Sequence, residues 1–252
     1  MNILFLTLSR ISDISERGIY TDLIREFIRN GHSLYIVVPI ERRFHQVTGL
    51  KESDGANILK VKTLNIQKTN LIEKGVGTLL LEYQYRWGIE RFWKDVKFDL
   101  ILYSTPPITF NKVIASLKER YKAKTYLLLK DIFPQNAVDL GMFSKKSLFY
   151  KLFRRKEERL YELSDYIGCM SPANVDYVLK HNPSVNADKV EICPNSIELK
   201  GDNECETVRA ILLRKLDIPV DKCLFIYGGN LGRPQGIDLS LIHISEPTRL
   251  GM

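Results

Sequence analysis

Short apolar runs alternate with segments of helical periodicity along the first two hundred residues. The runs predict strands at Ile3–Leu6, Leu34–Val38, Ile58–Val61, Leu100–Tyr103, Thr125–Leu129, Tyr166–Cys169 and Val190–Cys193. Between them, apolar residues repeat every three to four positions, which predicts helices over about 18–30, 76–94, 111–121, 144–163 and 175–180. Strands that alternate with helices build βαβ units. The sequence therefore predicts an α/β fold, with a parallel sheet covered by helices on both faces.

The loops that follow the strands are the candidate site, because open parallel sheets bind ligands beyond the carboxyl ends of their strands. Polar residues and prolines are concentrated in these loops, at 7–17, 104–108, 130–140, 171–174 and 194–198. Asp131 ends an apolar strand, and a carboxylate at that position is expected to face the cleft and not the core.

The composition changes after residue 199, which predicts a second domain. Residues 200–206 are polar and resemble a linker, 208–216 has a helical pattern, and 223–227 is an apolar run followed by GGNLGRPQG. We therefore divide the chain into a domain at 1–199 and a linker with the start of a second domain at 200–238. Residues 239–252 begin LSLIHISEPTR, which resembles a translated sequencing adapter; we interpret them as a non-native tail that does not pack on the body.

Composition and charge fit a folded globular protein. The chain has 252 residues, of which 44% are hydrophobic and 27% charged, and its net charge is +7. The start, MNILFLTLSR, has no basic lead and is interpreted as a first strand and not a signal peptide. No two of the four cysteines have the spacing of a metal or redox motif, which favours reduced thiols in a cytoplasmic protein.

Common catalytic motifs do not occur in this sequence. HExxH, GxSxG and GxxxxGK[ST] are all missing, and His32, His45 and His181 lie far apart, so we expect no metal centre. The glycine-rich GGNLGRPQG fits a loop whose backbone N–H groups approach a phosphate closely. A plain glycine-rich turn is the alternative at that position.

One predicted helix is strongly basic. Residues 144–160 carry seven Lys or Arg against two Glu, and their apolar residues form a stripe on a helical wheel. Lys151 and Arg155 flank this stripe and Arg154 lies opposite. This pattern is typical of a helix that lies on an anionic membrane surface, with these three cations reaching the headgroups. A core-packed helix with a solvated basic face is the alternative.

Five segments together resemble the retaining family-4 glycosyltransferases of bacterial surface-polysaccharide synthesis, and among them the amino-sugar transferases. The segments are RGIYTDLIREFIRNGH at 17–32, STPP at 104–107, KDIFPQNAVDLGM at 130–142, CPNSIE at 193–198 and YGGNLGRPQGID at 227–238. The resemblance implies a glycosyltransferase-B fold, of which this chain would supply the Rossmann-like N-terminal, acceptor-side half and the first strand of the donor domain. It also implies transfer, with retention, from a UDP-type nucleotide sugar to a lipid-linked or polysaccharide acceptor at the inner membrane face, without a metal.

The resemblance further assigns roles to individual residues. Asp131 would be catalytic, and Ser104, Pro134 and Asn195 would line the acceptor cleft. Donor binding would fall to Gly18, Gly229, Asn230, Gly232, Arg233 and Gln235. Asn230 and Gln235 stand where many family members have Arg and Lys, and Lys130 stands where the family often has His. Lys130 is open to two interpretations, a partner for a phosphate or one half of a Lys–Asp pair.

Two other functions compete with sugar transfer. Sugar-nucleotide 2-epimerases share the fold but have no need of a basic amphipathic helix. A non-catalytic basic domain that binds nucleic acid is disfavoured, because the positive charge is concentrated on one helix and no recognised binding motif accompanies it. The family keeps a pair of glutamates and most of its nucleotide pocket in the region that would follow Asp238, so we expect this chain on its own to be inactive.

Overall fold

The computed structural model describes residues 1–66, 69–199, 206–219, 226–229 and 236–245. The strands are β1 (Asn2–Leu6), β2 (Ser33–Glu41), β3 (Gly49–Ser53), β4 (Ala56–Thr63), β5 (Leu100–Ser104), β6 (Lys124–Leu129), β7 (Tyr166–Cys169) and β8 (Val190–Ile192). The helices are α1 (Ile19–Arg29), α2 (Leu71–Phe92), α3 (Asn111–Tyr121), α4 (Gln135–Asp139), α5 (Leu148–Leu163), α6 (Pro172–His181), α7 (Glu206–Lys215) and α8 (Ile237–Ser245).

The eight strands form one sheet in the order β3-β4-β2-β1-β5-β6-β7-β8. All neighbouring strands are parallel except β3, which pairs antiparallel with β4 at the edge. The predicted α/β fold with a mostly parallel sheet is therefore confirmed. The chain divides into two compact units, residues 1–197 and 198–252. The division of roles between an acceptor domain and a donor domain stays a prediction.

Two apolar layers hold the sheet, one on each face. One layer packs α2, α3 and the end of α5 on the sheet, with Tyr85, Phe98 and Leu160 fully buried in it. The other packs α1 on the opposite face, around Phe5 and Ile36. Helices on both faces leave the carboxyl ends of the strands as the accessible edge of the sheet.

The sequence prediction missed β3, although a local signal exists. Asp54 and Gly55 take positive φ values of 43° and 87° between β3 and β4. An Asp-Gly pair in this conformation is the turn that fits the twist of a two-residue hairpin. β3 is short and exposed on most of its length, so its apolar pattern is too weak to reveal it.

Three predicted helix starts were wrong because capping residues set them. Asn70 accepts a hydrogen bond from the N–H of Glu73 at 2.8 Å, so α2 begins five residues before the predicted position. Ser147 accepts from the N–H of Tyr150 at 3.1 Å, so α5 begins at Leu148 and not at Ser144. Ser171 accepts from the N–H of Asn174 at 3.3 Å, so α6 begins at Pro172 and not at Val175.

Much of the C-terminal unit falls outside the described residues. The predicted strand at 223–227 is covered only at Ile226 and Tyr227, which form no strand. Helix α8 begins at Ile237 and crosses the predicted junction at 238/239, with Leu239 and Leu241 exposed. The non-native origin of the tail stays a prediction.

Candidate active site at the carboxyl edge of the sheet

Buried hydroxyl groups line the point where β1, β5 and β6 end. The Ser104 hydroxyl donates to Thr7 Oγ1 at 3.4 Å, and both residues are buried. Thr105 Oγ1 accepts from the backbone N–H groups of Lys130 and Asp131, at 3.1 and 3.4 Å. These bonds connect three strand ends and fix the backbone on which the next two side chains stand.

Asp131 is the second residue after β6, and its side chain is exposed at this edge. The protein around it displaces part of its water, which raises the pKa of the carboxyl group above its ordinary value. It has no ion-pair partner within the described ranges. A carboxylate that is a stronger base than usual can accept a hydrogen bond, or a proton, from a bound hydroxyl group.

Tyr20 also belongs to this site, a role that the sequence analysis did not assign to it. Its ring packs against Phe5 with centroids 5.2 Å apart, and its hydroxyl interacts with Ser104 and lies near Asp131. Burial raises the pKa of Tyr20, so the hydroxyl stays protonated as a donor. Tyr20 lies in the first turn of α1, directly after the loop that follows β1. This position beside a candidate-site loop was the only feature of the sequence that pointed to Tyr20.

Lys130 supplies a positive charge beside the same strand end. Its half-buried position lowers the pKa of the ammonium group, while the nearby Cys193 acts in the opposite direction. No ion pair joins Lys130 to Asp131 in the described part of the chain, which removes the alternative of a Lys–Asp surface pair. A partly desolvated ammonium without a carboxylate partner is suited to hold an anion.

The loop between β1 and α1 is fixed at its helix end. The Gly18 N–H donates to the Asp22 carboxylate at 3.1 Å, and Asp22 pairs with Arg25 at 2.6 Å. Arg25 in turn donates to the backbone carbonyls of Ile14 and Glu16. The backbone at Gly18 is extended, with φ 171°, so a side chain is compatible with its conformation.

The middle of the same loop is fixed through Asp13. This carboxylate accepts from the Ser15 hydroxyl and N–H, from Lys51 at 3.0 Å and from Ser53 at 3.0 Å. These donors hold the pKa of Asp13 well below its usual range, with the Ser15 N–H as the largest cause. Hydrogen bonds within the chain therefore hold the loop that carries Gly18.

A shallow cleft beside this loop is lined by two cations. Arg10 and Lys60 face it together with Ser12 and Gln46. The Arg10 guanidinium lies over the Phe44 ring, 4.2 Å from its centroid, which holds it by a cation–π contact. Neither cation forms an ion pair with any described residue. The cleft can therefore take an anionic group.

The structure places the other predicted residues only in part. Pro134 is buried immediately before α4, and Asn195 is exposed three residues after β8. Gly229 is exposed, and a Cβ built there would lie 2.8 Å from the Tyr227 hydroxyl. The rest of the predicted donor loop lies outside the described residues, namely Asn230, Gly232, Arg233 and Gln235.

Arg154 corrects the predicted membrane face. Its guanidinium pairs with the buried Glu157 at 2.5 Å and donates to the backbone carbonyl of His181 at 2.8 Å and to Asn182 Oδ1. The face of α5 opposite the apolar stripe therefore packs toward α6 and not toward solvent. Lys151 and Arg155 are exposed, as the prediction required.

The described residues contain neither a metal-ligand cluster nor a membrane-spanning helix. No group of three or more His, Cys, Asp or Glu side chains has the geometry to hold a metal ion. Of the helices described, none has both the length and the apolar character needed to cross a bilayer.

The sequence of the chain is similar to that of a probable glycosyltransferase. No family model matches it. A protein from Pseudomonas aeruginosa, "Probable glycosyltransferase WbjE", is 25% identical over 177 residues, which cover 68% of this chain and 42% of the relative. The chain thus spans less than half the length of that curated relative.

Solved structures show the fold. Apo UGT2 of Phytolacca americana superposes with a TM-score of 0.50 and 11% identity, over 97% of this chain and 62% of that one. A UGT transferase of Siraitia grosvenorii in complex with UDP also gives a TM-score of 0.50, at 9% identity, over 93% and 60% of the two chains. The chain has the glycosyltransferase-B fold of these neighbours and is glycosyltransferase-like in sequence.

Proposed function

We propose that this chain belongs to a retaining family-4 glycosyltransferase that acts in cell-surface polysaccharide synthesis. It would move an amino sugar from a UDP-type nucleotide sugar to a lipid-linked or polysaccharide acceptor, with no metal, at the inner face of the membrane. The similarity to a glycosyltransferase and the glycosyltransferase-B fold support this assignment. The observation that carries it is the pair Lys130 and Asp131, two partly desolvated charges without ion-pair partners at the ligand-binding edge of the sheet.

In this proposal Asp131 activates the acceptor. Its carboxylate accepts a hydrogen bond from the acceptor hydroxyl, which orients the oxygen and increases its nucleophilicity. The bond from the anomeric carbon to the diphosphate breaks, a bond to the acceptor oxygen forms, and the acceptor proton leaves with the nucleoside diphosphate. Tyr20 and Ser104 hold the surrounding hydroxyl network in place.

The cleft at Arg10 and Lys60 supports a phosphate-bearing acceptor. A lipid-linked sugar carries phosphate between the lipid and the sugar, and two unpaired cations compensate such a charge. The cleft lies beside the loop that leads to α1, and Tyr20 in the first turn of that helix lies near Asp131.

Binding of a soluble acceptor analogue tests the proposal directly. The probe is an N-acetylamino sugar joined by diphosphate to a short prenyl chain, titrated into the 252-residue chain by calorimetry. A hydrogen bond to a charged group contributes about 1.5–3 kcal/mol, so Asp131→Asn should weaken binding by about 10- to 100-fold. The matched control is Asp139→Asn, since Asp139 is an exposed carboxylate whose contact is the Gln135 amide at 2.6 Å.

The possible results of this titration test different parts of the proposal. No saturable binding by the unmodified chain would contradict the proposed acceptor role. Equal affinities for the unmodified chain and Asp131→Asn would remove Asp131 from the site. Equal losses in both variants would mean that only net charge matters. Conversion of UDP-N-acetylglucosamine to its 2-epimer would instead favour the epimerase alternative.

A further inference from the structure

The first half of α5 exposes large apolar side chains. Leu148 is 81% exposed, Phe149 67% and Leu152 50%, and Met142, shortly before the helix, is 71% exposed. The second half of the same helix is ordinary core, with Leu160 and Tyr161 buried. Exposing several neighbouring apolar side chains is unfavourable in water, so such a cluster marks an interaction surface.

Cations surround these apolar residues. Lys145, Lys146, Lys151 and Arg155 are exposed, and none of the ion pairs found among the described residues includes them. The sequence contains no acidic residue between Asp139 and Glu157. We call the set the α5 patch; its members are Met142, Lys145, Lys146, Leu148, Phe149, Lys151, Leu152 and Arg155.

Apolar and cationic residues share one helical face within the α5 patch. Leu148, Lys151, Leu152 and Arg155 follow the i, i+3, i+4, i+7 spacing that places side chains side by side. At an interface between water and an apolar phase, the long Lys and Arg side chains can keep their charged groups in water while the shorter apolar side chains enter the apolar phase. The packing of Arg154 against Glu157 fixes this rotation of the helix, because it turns the opposite face inward.

We propose that the α5 patch binds the surface of an anionic lipid bilayer, with Leu148, Phe149 and Leu152 inserted at the level of the headgroups. Charge complementarity selects this occupant. A second copy of the patch would bring like charges together, and a nucleic acid would leave the apolar centre without a partner. The proposal does not depend on the proposed sugar transfer, because the surface is formed without the candidate active site.

Sedimentation with vesicles tests the charge component. The vesicles contain equal parts phosphatidylglycerol and phosphatidylcholine, or phosphatidylcholine alone. Each cation near an anionic surface contributes about fivefold to binding, so replacing Lys145, Lys146 and Lys151 with Gln should weaken it roughly a hundredfold at low salt. The difference should shrink as salt rises, because the Debye length falls to ~8 Å at 0.15 M.

A second variant tests the apolar component separately. Phe149→Ser with Leu148→Ser should weaken binding by about tenfold or more at every salt concentration, since apolar burial is not screened by ions. Both side chains are exposed, so the urea midpoint of unfolding should stay that of the unmodified protein. This salt-independent loss distinguishes insertion from simple electrostatic attraction.

A matched control removes the same charge elsewhere. Lys94, Lys97 and Lys124 are exposed at the amino edge of the sheet, and replacing all three with Gln should leave vesicle binding at the unmodified level. Equal losses in both Lys triple variants would overturn the proposal in favour of net charge alone. Failure of the unmodified chain to sediment with anionic vesicles, or unchanged sedimentation of both patch variants, would also overturn it. The vesicles contain no sugar acceptor, so none of these results bears on the proposed transfer.

Discussion

Arg154 and Arg155 are adjacent arginines for which the structure predicts opposite effects of mutation. Arg154 is 19% exposed and pairs at 2.5 Å with Glu157, which is 5% exposed; it also bonds to the end of α6. Arg155 is exposed and forms no ion pair with the described residues. Replacing either arginine with Gln removes one positive charge at adjacent positions of the chain. A change in net charge therefore cannot explain a difference in stability between the two variants.

The expected cost of Arg154→Gln follows from the burial of its partner. Removing one member of a buried ion pair costs about 3–5 kcal/mol, because the other charge stays buried without compensation. Arg154 is not fully buried, so water can replace part of the lost interaction, and we expect about 2–3 kcal/mol. With an m value of ~2 kcal/mol per molar, the urea midpoint should fall by about 1 M. Arg155→Gln should leave it unchanged.

The pH dependence of the stability lost in Arg154→Gln adds a second test. Burial, the largest cause, raises the pKa of Glu157 above its ordinary value of 4.5, even though Arg154 lowers it in part. A carboxyl group with a raised pKa binds its proton more tightly when folded, so stability falls as pH rises from the ordinary pKa through the folded one. Without Arg154 that pKa rises further. The deficit of Arg154→Gln should therefore be largest near pH 7 and shrink as the pH falls through the raised pKa.

Urea unfolding followed by tryptophan fluorescence measures both variants. Equal midpoints for Arg154→Gln and the unmodified protein would refute the inward orientation of Arg154. A loss of vesicle binding in Arg154→Gln at conditions where the variant is fully folded would return this residue to the membrane face predicted from the helical wheel.

Three further predictions concern the sheet and its loops. Tyr85→Phe removes a buried hydroxyl that donates to a backbone carbonyl just after β1 at 2.8 Å, and should lower the free energy of unfolding by about 0.5–1.5 kcal/mol in urea titrations. Asp13 has a depressed pKa, so its carboxylate stabilises the fold above its ordinary pKa, and this contribution is lost as the pH falls through the pKa in the folded state. Asp13→Asn should therefore reduce the dependence of the free energy of unfolding on pH in the acid range. Gly168→Ala would place a Cβ 2.6 Å from that of Cys193 and should destabilise by about 1–3 kcal/mol, whereas Gly49→Ala, with open space around it, should not.

The sequence predicted the sheet well because parallel strands are apolar on both faces. Seven strands were located from their apolar runs, and their alternation with helices predicted the parallel pairing, whereas the order of the strands in the sheet was not predicted. The element ends were less predictable, because single hydrogen bonds decide them. The caps at Asn70, Ser147 and Ser171 moved three helix starts, and the Asp54–Gly55 turn created a strand that its own residues scarcely indicate.

The candidate site was predictable only where it follows strand ends. Asp131 and Ser104 were found in this way, since position relative to a strand is a local property. Tyr20 was missed because its contact with Ser104 joins residues far apart in the chain. Arg154 was misassigned for the same reason, since a helical wheel shows which residues share a face but not which face meets a neighbour. Most of the predicted donor loop stays a prediction.

The central position of β1 has a consequence for synthesis. β1 pairs with β2 on one side and with β5 on the other, both of which are made after it, and Asn2 bonds to Asp99, 97 residues later. At ~5–20 residues per second, a ribosome takes about 2–8 s to proceed from the end of β4 to the end of β5. For that time the nascent chain presents one side of β1 as an unpaired, strongly apolar strand. Each nascent chain therefore passes through an interval in which it is a substrate for chaperones, and crowded polysomes would favour its aggregation.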